Sequence, residues 1–539
     1  MKKRIMMCAE SSHLASGFGT YTKEVLSRLF ETNKYTIAEF SCYRDTSVPK
    51  NEPWIVYPNA VKKDDPRYAQ YNSSVGNHFG QWRFDFALMH FKPHIVFDIR
   101  DYWMFSYQES SVFRDNFKWI IGPTIDSMPQ KREWMQTYQN ADIVLTHTEW
   151  AMKQLRSVNP SINLCGIVND SVDTNVFMTN GSKSSSKLIM GLPTDTFIIG
   201  SVMRNQKRKL MPDIFDVLQK VKAANPNKNI ALYLHTSYPE MNGWDLPDLL
   251  LRYGVQNNVY LTYKCKKCNK MHAAKYQGPK KSCVSCGEDS AFVCSVVHSV
   301  STNELAKIYN AFDVYLQYSI CEGFGIPQVE AAACGLPVVS INHGAMSEVT
   351  SNIGGDLVDV QRSFIEMETG AERVYPDNNQ CASILNKYVD MSNIDKMALG
   401  EKIRKNLELQ YSWDKTSKVF ENLFDEIDIT QYEQRWQTKP PESNPKQSIN
   451  DMPSNRNFVY YIIDNVLNYP QLKKSSFAQD IIAAADLGYS MDGKGMHNVD
   501  KKTLVKLLEV YMNNKDTFNK MLFNEIKIPK EYTDFLNYA

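Results

Sequence analysis

No stretch of this 539-residue sequence approaches the roughly 20 consecutive apolar residues of a membrane-spanning helix, so no span is expected. Net charge is equally scarce: 61 basic side chains face 60 acidic ones, leaving +1. That balance excludes wholesale wrapping of nucleic acid or of a membrane surface, though not a local basic patch. Internal repeats and long low-complexity tracts are absent. The cysteines number eleven, and seven of them have no motif spacing, which excludes a disulfide framework and suits a reducing compartment. The opening "MKKRIMMCAESSH" is basic, but its apolar run ends after Ile5 to Ala9, too short for a secretory signal. A cytoplasmic protein is expected.

What is present is the composition of a globular chain, 43% apolar and 22% charged, long enough for two or three domains. "RIMMCA" (4–9) reads as a buried strand, followed by a loop with Gly17 and Gly19 and then a helix that places Tyr21, Val25, Leu26 and Leu29 on one face. "HIVFDI", "KWIIG" and "ADIVLTH" repeat the strand signal between helix-like segments. Polarity rises at "MTNGSKSSSKLI" (178–189), a linker by composition. A second alternating series follows in "FIIGSVM", "NIALYLHT", "NVYLTY", "DVYLQYS" and "PVVSI". Alternation of strand and helix predicts an α/β fold of two Rossmann-like domains, 1–178 and 188–428, facing across a cleft, with ligands at the carboxyl ends of the strands. Residues 429–539 read as a linker and a helical extension, the latter from Phe458.

The stretch "YSICEGFGIPQVEAAACGLPVVS" sets Glu322 and Glu330 around a glycine-rich turn. Pro327 suits the first position of a short helix and Gly335 its left-handed end. The helix N-terminus opens toward Gly323, Phe324 and Gly325, a receptor for a phosphate or a sugar hydroxyl. A carboxylate accepts two hydrogen bonds from a vicinal diol, so one glutamate suits a ribose and the other a transferred sugar.

This signature resembles that of the retaining family-4 glycosyltransferases of GT-B fold. "SVMRNQKRKL" is similar to the family's basic segment, with Arg204 and Lys209 at the positions that grip the donor diphosphate. "GFGTYTKEVL", "SVDTNVF" and "GAMSEV" match its other segments, over roughly residues 1 to 428. The resemblance implies transfer of a sugar from a nucleotide-diphosphate sugar with retention. Arg204 and Lys209 neutralise the leaving diphosphate, Glu322 orients the donor sugar, Glu330 holds the ribose, and no catalytic metal is needed. Gly17, Gly19, Gly323, Phe324 and Gly325 are the matching donor-loop positions. On the acceptor side relatives carry a histidine that this chain lacks at the corresponding place; Asp126 in "GPTIDSMP" is the candidate there, with Asp101 second and Asp98 and Arg100 as a local pair. His13 and Asp173 read as a surface side chain and a turn cap, and His147 as a structural histidine.

Within the second domain, residues 261–294 form an insert in which Cys265-x2-Cys268 and Cys283-x2-Cys286 are separated by fourteen residues. Two such knuckles predict a tetrahedral structural zinc site in a short ribbon. Seven lysines between Lys264 and Lys281 against Glu288 and Asp289 give it a charge of +5, with Tyr263, Tyr276 and Phe292 beside them. Basic plus aromatic character suits a nucleic-acid strand. The first functional expectation is therefore glycosylation of a modified nucleic-acid base, as in DNA modification. A glycan, lipid or protein acceptor is the alternative for the same chemistry, and an inactive binding module is the third.

Overall fold

The computed structural model describes residues 2–437, apart from 15, 112, 296 and 297, together with Tyr460 and Lys473. The helical extension expected from Phe458 lies outside the described residues. The chain divides into two compact units. One holds Met1–Pro123, Gln136–Val144 and the described residues from Glu421 onward; the other holds Thr124–Met135 and Leu145–Phe420.

In the first unit the strand order is Ile55–Pro58, Tyr35–Cys42, Lys3–Glu10, Ile95–Asp98, Lys118–Ile121, Ile143–Thr146, with parallel neighbours. Ile5, Met6, Met7 and Cys8 are all buried, as expected for a parallel strand covered on both faces. Helix Gly17–Glu31 starts where the Ser16 side chain accepts the Gly19 N–H at 3.0 Å, so both glycines sit in its first turn rather than in the preceding loop. It buries Tyr21, Val25, Leu26 and Leu29, the expected face. The helices after Glu421 return to this unit. The Lys3 ammonium donates to the carbonyls of Phe424, Asp425 and Ile427 at 2.6–2.8 Å, and Phe424 meets the Tyr35 ring edge-on at 5.9 Å. Sequence composition alone had put 421–428 with the second domain; a lysine capping a helix end from across the chain leaves no compositional trace.

The second unit is built on a parallel sheet with the order Val259–Cys265, Ile230–His235, Phe197–Val202, Val314–Gln317, Val338–Ile341, Asp356–Val358. Successive residues feed opposite faces: Ile199, Leu232, Leu234, Leu316 and Val339 pack in one core cluster, and Ile198, Ala231, Tyr233, Tyr315 and Val338 in the other. The order reverses direction between Phe197–Val202 and Val314–Gln317. In open α/β sheets that switch point leaves a crevice outside the carboxyl ends of the strands.

Three departures from expectation lie in this unit. The polar stretch taken as a linker contains a helix, Lys183–Met190, capped by Ser182 and ended by left-handed Gly191. It is anchored by buried Lys187, whose ammonium pairs with Asp313 at 2.7 Å, so polarity here reflects a pinned helix. The insert does not stand apart from the sheet. Met271–Lys275 and Ala291–Val293 pair antiparallel to Val259–Cys265 itself, and Lys280–Lys281 pairs with Ala291–Val293. Finally, Val360–Ile365 and Glu372–Pro376 form an antiparallel hairpin with an exposed first strand. Its alternation is broken by charge, which hid it from a pattern reading.

Candidate functional site at the sheet switch point

Strand Phe197–Val202 ends directly before Met203 and Arg204, and strand Val314–Gln317 directly before the turn that carries Glu322. Lys209 forms an isolated bridge to Ser319, and Ile320 N–H donates to the Arg208 carbonyl at 2.9 Å, so the two turns are stitched together at the switch point. Helix Ile326–Ala333 follows. Its N-cap, Gly325, has φ +93°, a conformation that costs a side-chain-bearing residue roughly 1–2 kcal/mol. Pro327 occupies its second position, and Gly335 ends the segment at φ +68°.

Glu322 is held by two cations. Lys209 Nζ donates to Oε1, and Arg208 Nη1 lies 2.6 Å from Oε2. Burial works to raise the pKa of this carboxyl, but Arg208 and then Lys209 outweigh it and hold it down at about 2. Burial, followed by the neighbouring Arg208, pulls Lys209 down to about 8 against the attraction of Glu322. Lys209 is thus a buried cation that loses its charge just above neutrality. Arg204 extends outward, its side chain 52% exposed, and pairs with Glu240 at 2.6 Å. The turn 204–209 thus carries three cations against two carboxylate partners, a net positive charge.

Glu330, in the second turn of the helix, accepts a 2.7 Å hydrogen bond from the buried Tyr309 hydroxyl on Oε2. Burial pushes its carboxyl up to about 7, only partly offset by that hydrogen bond. Such a group gains from further donors, as a vicinal diol supplies.

The remaining candidates divide. Phe324 is 4% exposed and packs edge-on against Tyr411 at 5.3 Å, so its ring belongs to the core. Gly17 and Gly19 lie at the start of their helix in the first unit. Asp126 is not a free acid: Arg373 donates to its Oδ1 at 3.0 Å and the Cys321 thiol donates to its Oδ2 at 3.2 Å. Arg373 also grips Glu366 at 2.7 Å from the unforeseen hairpin. Asp98 and Arg100 form the expected buried pair. His13 is exposed, Asp173 accepts the Asn175 N–H at 2.9 Å in a turn, and His147 pairs with Asp170 at 2.8 Å, each as expected. Sequence reading missed Glu240, Tyr309 and Arg373, and weighed Arg208 only as part of a basic turn. Their signal is spatial, since each partner lies at least 21 residues away.

In the insert, the sulfurs of Cys265, Cys268, Cys283 and Cys286 all lie within 4.8 Å of one another. Cys265 Sγ and Cys286 Sγ are 3.7 Å apart, and Cys268 Sγ and Cys283 Sγ 3.6 Å. Four thiolates at about 2.3 Å from a tetrahedral Zn²⁺ span edges of about 3.8 Å. The donor set fits. The backbone N–H groups of Lys267 and Cys268 point at Cys265 Sγ (3.3 and 3.4 Å), and that of Ser285 at Cys283 Sγ (3.4 Å), the outer bonds that orient thiolate ligands. His272 stands aside, stacked on Tyr263 at 5.9 Å. Glu288 and Asp289, already counted in the +5, pair with Lys267 and with Lys280 (2.7 Å), while Glu304 from outside the insert pairs with Lys264 at 2.8 Å and lowers the local charge to +4.

Two units, each built on a parallel sheet, have the architecture of the GT-B class, and solved structures agree. Sucrose-phosphate synthase from Thermosynechococcus elongatus superposes with a TM-score of 0.56 at 16% identity, covering 79% of this chain and 98% of that one. HepE from Anabaena, in complex with UDP and glucose, gives 0.55 at 13% identity, covering 79% and 100%. The chain has the GT-B glycosyltransferase fold. Residues 293–384, which hold Glu322 and the helix that carries Glu330, match the family Glycosyl transferases group 1. A D-inositol 3-phosphate glycosyltransferase of Mycolicibacterium smegmatis is 27% identical over 226 residues, 42% of this chain and 43% of that protein. The match spans under half the length of such curated relatives.

Proposed function

We propose that the protein transfers a sugar from a nucleotide-diphosphate sugar to an acceptor hydroxyl with retention at the anomeric carbon. The observation that carries this reading is Glu322 clasped between Arg208 and Lys209 at the switch point, with Arg204 at the start of the same turn. A diphosphate leaving group develops charge as the glycosidic bond breaks. Arg204 and Lys209 stabilise it in place, an interaction stronger in the transition state than in the ground state. Glu322, kept ionised by its two cations, orients the hydroxyls of the donor sugar, and Glu330 accepts from the ribose diol. The departing phosphate takes the acceptor's proton on the same face, so no protein nucleophile is required. Gly323, Gly325 and the Phe324 backbone line the approach of the diphosphate to the helix N-terminus.

The four cysteines hold a structural Zn²⁺, which folds the insert and takes no part in transfer. Thiolate ligands and a chain whose eleven cysteines are all unpaired suit a reducing compartment. Among the described residues no helix is long and apolar enough to cross a membrane.

The acceptor is a hydroxyl compound outside the nucleic acids. The relatives are named for inositol and sugar phosphates, and the pairing of Lys264 with Glu304 takes one further charge from the insert. The test is incubation of purified protein with labelled UDP-, GDP- and ADP-sugars and a panel of inositol phosphates, sugar phosphates, oligosaccharides and hydroxymethylated DNA. Label is expected in a polyol or saccharide, with retained configuration by NMR. Label in DNA alone would restore the nucleic-acid reading, and no transfer from any donor would favour a binding module.

A further inference from the structure

The insert looks remote from the sugar chemistry, but one loop joins them. Strand Val259–Cys265 delivers the first cysteine at its carboxyl end, on the same edge of the sheet where Phe197–Val202 delivers Arg204. One strand, Ile230–His235, lies between them; in register Val202 stands level with Thr262, roughly 10 Å across at ordinary strand spacing, and Cys265 lies three residues further on. The loop after His235, residues 236–245, fills that gap.

On the insert side, Tyr238 N–H donates to the Cys294 carbonyl at 3.2 Å, and its ring meets Tyr276 edge-on at 5.8 Å. On the donor side the ties are denser. Ser237 Oγ accepts from Asn205 N–H at 3.2 Å and donates to Glu240, which pairs with Arg204. Asn205, fully buried, exchanges two hydrogen bonds with the Trp244 backbone at 2.9 and 3.0 Å. Trp244 Nε1 donates to the Lys209 carbonyl at 2.7 Å. The same loop therefore grips both ends of the turn 204–209 and rests on the insert.

We propose that the metal-folded insert braces the diphosphate-binding turn through residues 236–245, with Tyr238, Glu240 and Trp244 as positioning residues. The inference rests on the donor-site reading above. Beyond Val259–Cys265 the insert consists of strands of five, two and three residues. A piece that small has no separate core: its strands lean on Val259–Cys265 and the unit's main core, and its cysteine-bearing turns are what a metal would hold. Loss of the metal removes Tyr276 from under Tyr238, loosens the loop, and with it the seats of Arg204 and Lys209.

Hydrogen exchange on the full chain, with zinc and after chelation, tests this. Stripping is expected to speed exchange at 204–209 and 236–245 about tenfold while Phe197–Val202 and Val314–Gln317 stay protected. Tyr276→Ala, which keeps all four cysteines and its metal, should reproduce a smaller part of that change, and Tyr276→Phe should restore it. The Kd for UDP should rise about tenfold on stripping and about threefold in Tyr276→Ala, which correspond to about 1.4 and about 0.7 kcal/mol. Unchanged exchange at 204–209 after stripping overturns the proposal, as does a protein that binds no metal. If stripping unfolds the whole unit, the metal-loaded Tyr276→Ala variant decides, and wild-type exchange in it overturns the proposal. Coupled exchange in a protein that binds none of UDP, GDP and ADP would leave the brace standing and remove the donor reading instead.

Discussion

Replacing Lys209 by methionine keeps the length of a buried side chain and removes its charge. Lys209 is 6% exposed and its ammonium is one of two cations on Glu322. Arg208 stays in place at 2.6 Å, so Glu322 is not left as an uncompensated buried charge. The stability loss should fall below the ~3–5 kcal/mol of a fully broken buried pair. Catalysis should suffer more. Removing one preorganised donor to a developing anion costs about 2.7–4 kcal/mol, or about 10²–10³ in kcat. The pH profile separates this role from a structural one. Burial holds Lys209 down at about 8, so its cation disappears as pH rises through that value. Wild-type kcat/KM should therefore fall on the alkaline side near 8, and Lys209→Met should show low activity without that limb. A folded Lys209→Met variant with turnover within about threefold of wild type, or one that keeps the alkaline limb, refutes the reasoning.

Glu330, pushed up to about 7, becomes a carboxylate as pH rises through that value, so donor affinity should improve from pH 6 to 8 in the wild type and lose this dependence in Glu330→Gln. The same raised pKa means that folded Glu330 keeps a proton the unfolded chain releases near its ordinary 4.5, so its contribution to stability declines as pH rises toward 7. Thermal melts should then show Glu330→Gln gaining on wild type at pH 8 but not at pH 5, and equal differences at both would contradict it. Elemental analysis should find about one zinc per chain, lost when Cys283 and Cys286 are both changed to serine. Because Asp126 is engaged by Arg373, Asp126→Asn should lower the melting temperature while changing kcat less than about threefold; a hundredfold loss of kcat would return it to the catalytic set.

Much of the second unit was legible because its signals are local. Five apolar runs became five strands, and the glycine-proline punctuation of 318–340 marked a helix whose ends have the backbone conformations those residues favour. The cysteine pairs were legible for the same reason, since each knuckle is a four-residue pattern. What escaped was long-range. Nothing in the sequence shows that Arg208 would clasp Glu322, that Arg204 would rest on Glu240, or that Arg373 would take Asp126 out of the acid inventory. The linker expectation failed for a related reason: "GSKSSSKLI" has the composition of a spacer, but a serine cap and a buried lysine pair make it a helix. Likewise, a charge counted along the insert misses Glu304, which reaches Lys264 from forty residues away.

The most direct measurement is a crystal structure of the protein soaked with UDP-, GDP- and ADP-sugars. The account predicts diphosphate oxygens within hydrogen-bond reach of Arg204 and Lys209, and the ribose diol on Glu330. Density for the nucleotide elsewhere, with Glu322 still clasped by both cations and Glu330 touching only Tyr309, would contradict it.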